Sequence, residues 1–219
     1  MIKHVLFDLD GTVIDSKECI FLVYRKLFEK HGLTLPDGES MRRFIGPPVE
    51  TTLANYVPVE EAKALAEDFR EIYKTVDLVA TNTLYPGIAD AVRKIKAQGR
   101  QAYIATSKSE RFAVGILQGL GAYDLFDGVY GSRYDLGENN RLQKEDVLRF
   151  LLRENGIRND ECILIGDTLF DVEGAEKCDL PVAIVRYGFG SPDDFVGKKI
   201  AFFADLPADL PEKLEEYDG

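Results

Sequence analysis

A chain of 219 residues, 45% hydrophobic and 30% charged, has the length and make-up of an ordinary soluble globular protein of one domain or one and a half. Its formal net charge of −11 argues against nucleic-acid or anionic-membrane partners, because phosphate-rich surfaces are met by basic patches. No apolar run approaches a membrane span, no secretion signal opens the sequence, and Cys19, Cys162 and Cys178 lack metal-ligand spacing, so reduced thiols and a cytoplasmic location are expected.

The first element is the apolar run His4-Val5-Leu6-Phe7, which has the composition of a short buried strand. It runs into Asp8-Leu9-Asp10-Gly11-Thr12, where Gly11 permits a tight turn. Such a turn lets both carboxylates meet at one crevice. Buried together they repel unless a divalent cation or a positively charged group lies between them. One could then act as a nucleophile and the other as a proton carrier; a plain surface turn after a strand is the alternative.

Residues 16–82 carry helical periodicity throughout. Ile20, Val23, Tyr24, Leu27 and Phe28 form one amphipathic stripe, with Asp15 or Ser16 as its cap. Ala62, Leu65, Ala66, Phe69 and Tyr73 form another. Between them, residues 41–54 predict one or two shorter helices, interrupted at Gly46-Pro47-Pro48. From residue 84 onward, strands and helices alternate. Helices are predicted around Ile88 to Ile95, Phe112 to Leu120 and Val147 to Glu154. Strands are predicted at 102–105, 128–130, 162–165 and 182–185, with an edge strand at 200–204 before a final polar helix. Strands that are apolar without alternation imply an α/β fold, a Rossmann-like parallel sheet with helices on both faces. The helical block is then an insertion after the first strand. The expected division is a core of residues 1–15 and 83–219 and a small all-helical cap of 16–82.

In an open parallel sheet, ligands bind beyond the carboxyl ends of the strands. The strand at 102–105 ends in Thr106-Ser107-Lys108. The strand at 162–165 ends in Gly166-Asp167, with Asp171 four residues on, and Lys144 sits near the start of the preceding helix. These ordered pieces resemble the four motifs of the haloacid-dehalogenase-like hydrolase superfamily, and the resemblance spans essentially the whole chain. Asp8 to Thr12 matches the first motif, Thr106 the second, Lys144 the third, and Gly166-Asp167 with Asp171 the fourth.

The resemblance implies phosphoryl transfer, because dehalogenase relatives lack a carboxylate at the position of Asp10. It assigns Asp8 as the nucleophile and Asp10 as the general acid and base. Thr106 and Lys144 grip the phosphoryl oxygens, with donors around Leu9, Gly11, Thr12 and Ser107. Mg2+ is the implied cofactor, held by the Asp8 carboxylate, the Asp10 carbonyl and Asp167, with Asp171 either touching the metal or orienting Lys144. Arg141 is the nearest substitute for Lys144, and Lys108 either binds substrate or is a solvated loop lysine.

The helical insertion resembles the cap of the phosphoglycolate phosphatase and β-phosphoglucomutase branch. Phe44-Ile45-Gly46-Pro47-Pro48 resembles a cap loop of phosphoglycolate phosphatase-like and 5′-nucleotidase-like proteins. Gly46 is therefore expected at the substrate, and Arg43, with Arg42, could meet a second anionic group. The expected activity is a magnesium-dependent phosphatase acting on a small phosphorylated metabolite, phosphoglycolate-like or a nucleoside 5′-monophosphate, as a monomer or weak dimer. A phosphosugar mutase and a non-catalytic phosphate-binding module are the alternatives.

Overall fold

The computed structural model describes residues 1–38, 40–133 and 140–218. Among these, six strands form one parallel sheet in the order β5-β4-β1-β6-β7-β8: β1 His4–Phe7, β4 Gln101–Ser109, β5 Gly128–Ser132, β6 Cys162–Gly166, β7 Val182–Val185 and β8 Phe203–Ala204. The central strand β1 is flanked by β4, with Val5 opposite Ala102, and by β6, with Val5 opposite Ile163.

Both faces of the sheet are buried, which explains the unbroken apolar runs. Val5, Phe7, Ile104, Ile163 and Ile165 face a cluster closed by α4 (Ile88–Ala97), α5 (Glu110–Gly119) and α8 (Leu210–Asp218). Leu6, Tyr103, Leu164 and Ile184 face the other way, onto α6 (Lys144–Asn155) and α7 (Leu169–Glu176). The alternation of neighbours along each strand is the period-two geometry of a pleated strand.

The helical insertion packs on itself. α1 (Lys17–Lys30), a 3-10 turn Ser40–Phe44, α2 (Val49–Leu53) and α3 (Val59–Lys74) share a third cluster of their own. Tyr24 lies at its centre, edge-on to Phe44 at 4.6 Å between ring centres and tilted against Phe69 at 4.8 Å.

Where the expectations had plain connections into and out of the cap, the structure has two short strands. β2 (Ile14–Asp15) and β3 (Thr83–Leu84) pair antiparallel, with Ile14 opposite Leu84 and Asp15 opposite Thr83. β4 also runs further than predicted, through Thr106, Ser107 and Lys108 to Ser109, with its pairing to β5 shifting between Ala105 and Ser109. No helix among the described residues is long and apolar enough to cross a membrane.

Candidate active site

The loop after β1 is wound around a single carbonyl. Thr12, Val13 and Ile14 all donate their backbone N–H to Leu9 O, and Gly11 N donates to Ile14 O at 2.8 Å. This winding needs Gly11 at a φ of +83°, a conformation that a side chain disfavours. Leu9 itself is fully buried, in the core cluster with Val5 and Phe7. Asp8 stays anchored to the sheet through its N–H, which donates to Ile165 O at 2.8 Å.

Three carboxylates and a lysine converge there. Lys144, the first residue of α6, places Nζ 2.8 Å from Asp8 Oδ1 and 2.7 Å from Asp171 Oδ1. Asp167 accepts from Thr12 Oγ1 at 3.2 Å on one oxygen and from Phe189 N at 2.7 Å on the other. Asp171 caps the start of α7: its Oδ2 accepts from Asp167 N, Thr168 N and Thr168 Oγ1 at 2.9–3.2 Å. Both Asp171 oxygens are thus held by donors. Of the two roles left open for Asp171, this geometry supports orienting Lys144.

The electrostatics are strained by excess negative charge. Burial pushes the Asp8 carboxyl up to about 7; the Lys144 ammonium opposes this and the Asp171 charge adds to it. Asp167 is raised well above the usual carboxylate range, first by burial and then by the Asp171 and Asp8 charges. Burial alone would lower the Lys144 ammonium, but the Asp171 and Asp8 carboxylates outweigh it and keep the lysine charged.

These residues fit a divalent cation. Asp8, Asp167 and Asp171 offer ligand atoms within 4.8 Å of one another, an all-oxygen set suited to magnesium. Four carboxylates (Asp8, Asp10, Asp167, Asp171) face two ammonium groups (Lys108, Lys144), so one dication would balance the site when all are ionised.

Above this floor, a cavity of about 330 Å³ separates the strand ends from the helical insertion. Asp8, Asp10, Thr106, Ser107, Lys108 and Lys144 line it from below, and Gly46, Tyr24, Phe44, Phe69 and Tyr73 from above. Gly46 has a φ of +108° and packs so closely on Thr168 that a Cβ there would lie 3.0 Å from its Cγ2. Thr106 is buried, and its Oγ1 accepts from Lys108 N at 3.1 Å.

Arg43 is not brought to this cavity. In the 3-10 turn Ser40–Phe44, Met41 and Phe44 take the inward positions, leaving Arg42 and Arg43 exposed. The cations along the cavity wall are instead Arg70, Lys74 and Arg111, accompanied by Glu50, Glu67 and Glu71. Arg70 pairs with Glu50 and Lys74 with Glu71. They lie on α3 and α5, and no sequence motif singled them out. Arg141 does not replace Lys144: it is buried against Glu110, 2.8 Å away, and lies over the Phe150 ring. Phe189 N, the donor to Asp167, was equally hidden, since a backbone N–H carries no sequence signal.

A family profile described as haloacid dehalogenase-like hydrolase matches residues 5–185. The chain belongs to that family. As a member it is an enzyme, a hydrolase. It is 32% identical to the 5′-nucleotidase of Pseudomonas aeruginosa over 98% of this chain and 96% of that protein. It is 30% identical to the tyrosine-protein kinase PtkA of Mycobacterium tuberculosis over 96% of this chain and 71% of that protein. Among solved structures of the family, a predicted phosphatase from Clostridium acetobutylicum superposes with a TM-score of 0.90 at 32% identity, covering 99% of both chains.

Proposed function

We propose that this hydrolase is a magnesium-dependent phosphatase that acts on a small phosphomonoester through an aspartyl-phosphate on Asp8. The observation that carries the reading is the placement of Asp8 at the end of β1, 2.8 Å from Lys144, in one cavity with a second carboxylate on Asp10. An Asp8 oxygen attacks phosphorus as the bond to the leaving oxygen breaks, and Asp10 hands that oxygen a proton. Water then attacks the phosphorus, Asp10 takes its proton, and Asp8 is released as the carboxylate. Lys144, the Thr106 hydroxyl and donors near Leu9 and Ser107 hold the remaining phosphoryl oxygens throughout. Asp8, Asp167 and the Asp10 carbonyl would hold the magnesium, which when bound would supply positive charge against the phosphoryl group.

The aromatic upper wall takes the leaving group, which is glycolate-like or a nucleoside. The names of the relatives support both a phosphatase and transfer to an acceptor other than water, and a phosphosugar mutase would differ only in that acceptor. A phosphate-release assay over a panel of phosphomonoesters, with magnesium and then with chelator, tests the proposal. Release that needs magnesium and vanishes in Asp8→Asn is expected; full turnover in that variant removes Asp8 as the nucleophile.

A further inference from the structure

Lys108 lies near the end of β4, two residues after Thr106. Its side chain is 8% exposed, and Nζ lies 3.1 Å from Asp10 Oδ1. The same Nζ donates to the hydroxyl of Tyr73 at 2.7 Å and stands 4.8 Å from the centre of that ring. Tyr73 belongs to the last turn of α3, in the helical insertion; it is 4% exposed and packs on Phe112 of α5, ring centre to ring centre at 4.8 Å. One lysine therefore joins the Asp10 carboxylate below to a cap hydroxyl above. Burial works against the Lys108 charge, but the Asp10 carboxylate and Tyr73 outweigh it and hold the ammonium protonated.

Holding a lysine still is costly, because its flexible four-carbon stem surrenders rotamer freedom when fixed. A buried tyrosine is rigid by comparison and offers both a ring face and a hydroxyl. A proton donor misplaced by about 1 Å can lose on the order of a hundredfold in rate, so the pose of Asp10 matters as much as its identity. Lys108 engages one Asp10 oxygen and leaves the other for the reacting oxygen. Resting on the phosphatase reading above, we infer that Tyr73 and Lys108 are positioning residues for the proton step: Tyr73 fixes Lys108, and Lys108 fixes Asp10 where it protonates the departing oxygen. Proton delivery is then coupled to contact between cap and core. As the P–O bond breaks, its electron pair leaves with the oxygen, the Asp10 proton moves onto that oxygen, and the new bond is from Asp8 to phosphorus.

The test separates substrates that need this proton from one that does not. For each variant, kcat/KM reports the steps through departure of the leaving group, before the shared hydrolysis of the aspartyl-phosphate. It is measured on a nucleoside 5′-monophosphate or the best alkyl phosphomonoester of the panel, and on p-nitrophenyl phosphate, whose leaving group departs without protonation. Tyr73→Phe keeps the ring and loses only the hydroxyl. It is expected to lower the alkyl kcat/KM roughly fivefold to tenfold and the aryl value by less than about twofold. Lys108→Met is expected to lower the alkyl value by about a hundredfold, again with a smaller aryl effect. Thermal melting checks that each variant is folded. Equal losses on both substrates, or no loss on either, overturn the inference and leave the phosphatase reading standing. A wild-type enzyme that releases phosphate from neither substrate overturns that reading, and the inference falls with it.

Discussion

Gly11 and Asp167 are packed so closely that a methyl group on Gly11 would sit 2.1 Å from Asp167 Oδ2. Two requirements coincide at this glycine, a positive φ and an absent side chain. Gly11→Ala is therefore expected to fold with a displaced Asp167, at a cost of about 2 kcal/mol or more from strain and clash. Loss of phosphate release by roughly a hundredfold should accompany a lower denaturation midpoint. A variant with unchanged turnover would show that the loop tolerates a looser winding than described.

Lys144 is the counter-ion of two buried carboxylates at once. Lys144→Ala leaves Asp8 and Asp171 facing each other without it, and breaking such a pair costs roughly 3–5 kcal/mol. Denaturant unfolding should show this loss, and activity should fall by about a thousandfold or more because a phosphoryl-binding cation goes with it. A second variant, Lys144→Arg, keeps the charge but not the reach between the two carboxylates. It is expected to recover stability more than activity; equal recovery of both would remove the geometric role.

Protonation of Asp8 ties stability to pH and to metal. Its folded pKa of about 7 lies above the ordinary 3.8, so between those values the folded state binds more protons than the unfolded one. Stability of the metal-free protein from this group therefore falls as pH rises from about 4 to about 7. Comparison with Asp8→Asn isolates the effect from other carboxylates. The wild type should lose stability relative to the variant across that window, and magnesium should raise the wild-type melting temperature more at pH 8 than at pH 5. A magnesium shift that is the same at both pH values would contradict the acidic-cluster account.

Much of the architecture was legible because burial on both faces leaves a plain signature. Val5-Leu6-Phe7, Cys162 to Ile165 and Val182 to Val185 are apolar without alternation, and each became a strand of the sheet. The motif residues were legible for a related reason: polar groups such as Asp8, Thr106 and Asp167 stand directly after apolar runs, where a parallel sheet opens onto its ligand. Other features carry no local pattern. β2 and β3 are two residues each, too short for periodicity, and exist only because distant segments meet. Tyr73 was legible as a core position of α3, since helical spacing reports burial and says nothing of what a hydroxyl touches. Arg43 was placed near the substrate by its neighbourhood in sequence, and the tight turn that buries Met41 and Phe44 turned it outward.

The pairing of β2 with β3 bears on how the molecule can breathe. Two separate tethers would allow the helical insertion to twist, slide and tilt independently. Stitched together at Ile14–Leu84 and Asp15–Thr83, they form one ribbon, and a ribbon bends far more readily across its width than it shears along its length. Movement of the insertion relative to the sheet would then be confined largely to one bending direction. Tyr73 and Lys108 sit on opposite sides of that hinge, so any bend of the ribbon that lifted the insertion would part them.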